Sequence, residues 1–157
     1  MRVLIFLLYM SSYYGVLGLL NLKQSAGVEG KLHCNGQPAK GVEVQLLEKE
    51  PFFDALMAKG RTDTNGFFKL GGSANEMTII EPELVIHHKC NYKNPPKEKG
   101  TGLICFKKYI IQVPSRYIYR ADRVYSYFDI GVLELSKLNG EKTFCKWRDL
   151  RPWDIRL

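Results

Sequence analysis

The sequence predicts an all-β sandwich in one domain. Three observations lead there. Short stretches alternate apolar and polar residues with a period of two, turn signals separate them, and no amphipathic helix longer than two turns can be drawn. The length of 157 residues suits one domain. A composition of 45% hydrophobic and 25% charged residues belongs to a folded chain rather than a disordered one.

The elements follow in order. Residues 28–34 place Val28, Gly30, Leu32 and Cys34 on one side and Glu29, Lys31 and His33 on the other, a half-buried strand. Asn35-Gly36-Gln37-Pro38 is a turn, and residues 42–46 are a second strand. Residues 50–60, bounded by Pro51 and Gly60, read as a structured loop. Thr62 to Gly66 is rich in residues that bond their own backbone or accept positive φ, so a turn is expected there, with Asp63 bonding backbone amides. Strands are expected at 67–70, 77–80, 83–90, 105–114, 128–135 and 143–147, which gives seven or eight in all. A polar connection rich in tyrosine spans 115–127.

The first 18 residues carry one charge, Arg2, ahead of an apolar run. That pattern reads as a secretory signal peptide cut after Gly18. Residues 19–148 then form the domain, and 149–157 a polar tail. Secretion and an extracellular location are expected. Four cysteines behind a signal peptide imply two disulfides. Three pairings are possible. Strand placement favours Cys90 with Cys105, at the ends of consecutive strands, and Cys34 with Cys145. Under the loop-entropy model these would contribute roughly 3 and 4–5 kcal/mol. Zinc is disfavoured because the His and Cys spacings fit no tetrahedral signature. No Asn-x-Ser/Thr acceptor sequence occurs.

The runs VEGKLHCNGQPAKGVEVQLLE, RTDTNGFFKLGG, ELVIHHKCNY, CFKKYIIQVPSRYI and FDIGVLEL, together with Asp54 and Cys145, carry a family pattern. From about Val28 to Cys145 the chain resembles the transthyretin-like family of secreted nematode proteins. The resemblance implies a prealbumin-like β-sandwich and an extracellular location. Transthyretin itself carries thyroid hormone in a channel formed by a tetramer. The related hydroxyisourate hydrolases end in Tyr-Arg-Gly-Ser, whereas this chain ends Asp154-Ile155-Arg156-Leu157. Hydrolase activity is therefore not transferred.

No catalytic set is apparent. The nucleophile elbow, the zinc-protease helix motif and the phosphate-binding loop are all missing. His87 and His88 are adjacent on a strand and point to opposite faces, which suits one packed and one exposed imidazole rather than a shared site. Asp54, Asp63 and Glu76 lack calcium-loop spacing. The expectation is a protein that is not an enzyme and needs neither cofactor nor metal.

The charge distribution says more. The chain carries a net +7, and Lys89, Lys93, Lys97, Lys99, Lys107 and Lys108 fall within one segment opposed only by Glu98. Arg116 and Arg120 follow, interleaved with Tyr117 and Tyr119, and then Arg123 with Tyr125. Basic residues beside aromatic rings suit an anionic surface, at about 1 kcal/mol per cation near an acidic bilayer. The bland alternative is a solvated edge that keeps strands from pairing. The expected function is a secreted binding module that recognises an acidic phospholipid headgroup, such as phosphatidylserine, or a sulfated glycan. A carrier of a small apolar or hormone-like ligand, a receptor ligand and a homo-oligomer are the other possibilities weighed. Nucleic acid is a poor partner for a secreted chain despite its basic charge.

Overall fold

A computed structural model describes residues 23–92 and 103–147. The expected signal peptide 1–18, the tail 149–157 and Lys93, Lys97 and Lys99 lie outside the described residues. The strands are β1 (Lys23–Cys34), β2 (Gln37–Pro38), β3 (Glu43–Glu48), β4 (Ala55–Arg61), β5 (Phe67–Asn75), β6 (Pro82–His88), β7 (Leu103–Gln112), β8 (Ile118–Tyr119), β9 (Phe128–Glu134) and β10 (Lys142–Trp147). They form two five-stranded sheets. In the first, β1 is central. It pairs antiparallel with β2 and β5, and along its other edge with β8 and, in parallel, with β9. The second sheet runs β10-β7-β6-β3-β4, antiparallel throughout.

Alternation explains the core. Val28 and Leu32 of β1 and Phe68 and Leu70 of β5 face Val44 and Leu46 of β3 and Leu84 and Ile86 of β6. Removing these side chains from water drives the two sheets together. The outward positions of β1 and β5 carry Gly27 opposite Gly71 and Glu29 opposite Lys69, the latter pair 2.7 Å apart. A Cβ on Gly27 would meet Val124 and Tyr127, and one on Gly71 the same two side chains. The bare glycine floor therefore seats the tyrosine-rich connection on the outside of this sheet. Lys69 Nζ stands 3.8 Å from the centre of the Tyr127 ring, and Ser25 Oγ donates to Arg123 O at 2.8 Å.

Three expectations need correction. Residues 55–61 are a strand rather than a loop, because β4 completes the second sheet along β3, with a bulge between Leu46 and Leu47. Residues 77–80 form no strand. Gln24 holds this segment instead, donating to Glu76 O at 3.2 Å and to Thr78 O at 2.5 Å.

The third correction concerns the disulfides, which join Cys34 to Cys90 and Cys105 to Cys145. The favoured pairing fails because β6 stops at His88. Had β6 run on, its register would have carried Cys90 towards Cys105. Instead the chain turns, with Tyr92 N–H donating to Lys89 O and Asn91 at φ 50°, and Cys90 meets Cys34 of the other sheet. Cys105 is left opposite its ladder partner Cys145, with Cα atoms 4.0 Å apart. One bridge thus ties the sheets together and the other ties two strands of one sheet.

Candidate binding surface

The outer face of the second sheet carries a row of ionisable residues across all five strands: Lys142, Lys108, His87, Glu43 and Arg61, each opposite the next in the ladder. Glu43 anchors one side, with Lys59 at 3.2 Å, Arg61 at 3.4 Å and His87 Nδ1 at 3.6 Å from its carboxylate. The next row is aromatic, with Phe144 opposite Phe106. His87 stacks on Phe144 with ring centres 5.4 Å apart and lies 6.2 Å from Phe106. Lys89 Nζ stands 5.1 Å from the centre of the Phe106 ring, a cation–π contact. Lys89, Lys108 and Lys142 have no carboxylate within ion-pair distance among the described residues.

Cross-strand neighbours lie about 5 Å apart, so this alternation places ammonium groups around apolar rings on one side of the sheet. His87 is a half-buried member of this cluster and not the exposed imidazole expected. The two histidines do occupy opposite faces.

Lys107 is directed elsewhere. It shares its side of β7 with Cys105 and with Tyr109 and Ile111, which pack on the core. Its ammonium lies 3.0 Å from Glu141 Oε2, while Glu141 Oε1 lies 2.6 Å from His88 Nε2, at an angle away from that of a regular hydrogen bond. His88 is 2% exposed, and its Nδ1 accepts from Cys90 N–H at 3.3 Å. That acceptor role leaves the proton of a neutral ring on Nε2, facing Glu141. Burial pushes the His88 pKa down, against the opposing pull of Glu141. Nδ1 is thus hydrogen-bonded and Nε2 meets Glu141 without a regular hydrogen bond, where Lys107, Glu141 and His88 close one end of the core.

Arg116 and Arg120 do not join Lys89 and Lys108. Beyond the end of β7 they enter the connection to the first sheet, where β8 pairs with Ser25 and Ala26 near the start of β1. Arg116 lies over Tyr117 at 5.1 Å. Tyr117 packs against Phe128, and Tyr119 against Tyr125. The tyrosines expected to interleave with exposed arginines are thus used largely within the fold. Lys142 and Phe144 complete the surface, and the sequence reading missed them. Their signal was the alternation of KTFCKW, which places both on the side away from Cys145.

The end of the sandwich beside this surface is tightly bound. Asn35 and Asn91 each follow a cysteine of the inter-sheet disulfide, and both have positive φ. Their side-chain amides bond reciprocally at 3.0 and 3.1 Å. Glu134 accepts from the backbone N–H of Asn35 and of Gly36, both at 2.8 Å. Bonds from Ser136 first, and then from these amides, hold its carboxyl down to about 2.

Comparison with known proteins adds the lineage. Residues 29–114 match the model of the transthyretin-like family. The chain belongs to this family. Transthyretin-like protein 5 of Caenorhabditis elegans is 40% identical over 138 residues, covering 87% of this chain and 91% of that protein. Transthyretin-like protein 2 of the same organism is 35% identical, over 85% of this chain and 98% of its own length. Transthyretin-like protein 1 is 31% identical, over 96% and 97%. This transthyretin-like chain thus shares nearly its whole length with these relatives, and its disulfide-linked two-sheet fold agrees with the resemblance read from its motifs.

Proposed function

We propose that this transthyretin-like chain is a secreted, non-enzymatic binding module that recognises an anionic cell-surface group, an acidic phospholipid or a sulfated glycan. The observation that supports this most is the gathering of Lys89, Lys108 and Lys142 around Phe106, His87 and Phe144 on the outer face of the second sheet. The cations would supply long-range attraction and the rings an apolar footing at the headgroup level. Lys93, Lys97 and Lys99 belong to the connection between β6 and β7 and would add to the same charge. Lys107, Arg116 and Arg120 are left out of the surface, the first because Glu141 holds it.

The test is binding of the mature oxidised protein to phosphatidylserine vesicles and to immobilised heparin, each at low and high salt. Lys89→Glu with Lys108→Glu should weaken vesicle binding by roughly thirtyfold or more, since each cation near an acidic bilayer contributes about 1 kcal/mol. Raising salt should weaken what remains. Equal binding by the double variant to both supports would sink the reading.

A further inference from the structure

The opposite end of the sandwich has a different chemistry. The connection from β3 to β4 and that from β5 to β6 enclose an open cleft of about 410 Å³, into which Glu48, Glu50, Glu76 and Glu81 contribute. Lys49 also borders it but is engaged by Glu83 at 3.4 Å. Glu48 is only 4% exposed. Its Oε1 accepts from Glu81 N–H at 2.9 Å, while its Oε2 has no hydrogen-bond partner. A buried carboxylate oxygen without a donor is costly, and burial pushes this carboxyl up. Glu50 lies beside Glu76, and the neighbouring carboxyl holds the Glu50 carboxyl above its ordinary value. These carboxyls crowd together with no cation of the described chain between them.

The rim is apolar. Phe52 is 89% exposed, Phe53 87%, Met77 74% and Ile79 60%, all on the same two connections. Such a cluster marks an interaction site far better than scattered apolar residues do. We propose that this cleft docks a polypeptide segment of another protein that presents a lysine or arginine between apolar side chains. The cation would enter among Glu48, Glu50 and Glu76 and supply the missing donor, while its apolar neighbours cover Phe52, Phe53, Met77 and Ile79.

Charge complementarity selects the occupant. A phospholipid headgroup would bring its phosphate against four carboxyls. A bare metal ion is not favoured either, because no three acidic, histidine or cysteine side chains converge to hold one among the described residues. An extended segment suits both parts of the site, because side chains two residues apart lie about 7 Å apart on one face. A guanidinium also offers several donors to separate carboxylates at once.

The probe is a fluorescent decapeptide in which leucine and arginine take turns at every second position with serine between them, so that both lie on one face of an extended chain, titrated against the full mature protein. Controls replace every leucine with serine or every arginine with glutamate. Saturable binding is expected, at least about tenfold tighter than to either control. In the unmodified protein, backbone NMR shifts on titration should concentrate at residues 48–53 and 76–81. Glu50→Gln with Glu76→Gln, and separately Phe52→Ser with Phe53→Ser, should each weaken the probe about tenfold. Lys89→Glu with Lys108→Glu should leave it unchanged, which separates this site from the surface proposed above. Shifts elsewhere, unaltered affinity in both cleft variants, equal binding of the serine–arginine control or equal competition by free arginine amide would each overturn the proposal.

Discussion

The two ends of this sandwich are held in different ways. At one end a disulfide joins the sheets, paired asparagine amides flank it, and Glu134 satisfies the turn amides beside it. Nearby, Glu141 stands between Lys107 and His88, so the carboxylate there faces a cation and an imidazole. At the other end the sheets are joined through Gln24 and loop backbone, and carboxyls meet carboxyls. The lesson concerns where a small β protein places rigidity. The basic surface stands beside the covalently fixed end, so its rings and cations are held in advance. The acidic cleft stands where no cross-link constrains its two connections.

Three measurements test that contrast, the largest effect first. Replacing Cys34 and Cys90 with alanine removes the inter-sheet link, which closes 56 residues, at a cost of about 4 kcal/mol in the loop-entropy model. Urea unfolding of the variant against wild type gives this directly, and a loss below about 1 kcal/mol would erase the distinction between the ends. Next, Glu141→Ala strands Lys107 and leaves His88 Nε2 without its carboxylate. A loss of about 2 kcal/mol is expected by the same measurement, with little change if His88 and Lys107 find other partners.

The smallest effect concerns Glu134. Its carboxyl is held below its ordinary 4.5, so its contribution is complete above that value, shrinks as pH falls and is gone below about 2. The stability gap between wild type and Glu134→Gln should narrow between about pH 6 and about pH 2. A gap that stays constant with pH would mean that this carboxylate does not clamp the turn.

Much of the sandwich was legible in the chain. The alternation in residues 28–34 placed the inward residues of β1 correctly, because one wet and one dry face impose a period of two, and strands were expected where β3, β6, β7, β9 and β10 lie. At the turn after Arg61, Asp63 Oδ1 accepts from Asn65 N–H and Phe67 N–H, both at 2.8 Å, as its residue types required. β4 escaped because ALMAKGR has no such alternation. It carries the register shift, and Gly72 brings the other sheet so close that a Cβ there would lie 2.5 Å from Met57 O. Residues 77–80 misled in the opposite sense, since Met77 and Ile79 face outwards and Ile80 alone is buried. The disulfide partners were not legible, because the pairing turns on where β6 ends.

The basic surface was legible in composition but only partly in geometry. Counting lysines along the chain grouped Lys107 with Lys108, though strand parity sets them on opposite faces. The parity argument that separated His87 from His88 would have separated these two as well. Arg116 and Arg120 read as a second basic set following the lysines, and β7 carries them to the other end of the sandwich.

Tyr127 and Val124, lying over Gly27 and Gly71, have a consequence for recognition as a whole. They act as an upholstery that the molecule sews onto its own back. Whatever approaches from that side meets a connecting segment already in place rather than bare pleats. Visitors are steered to the other sheet or to the tips, and a bulkier residue at either glycine would lift the cover and expose a second, unintended front.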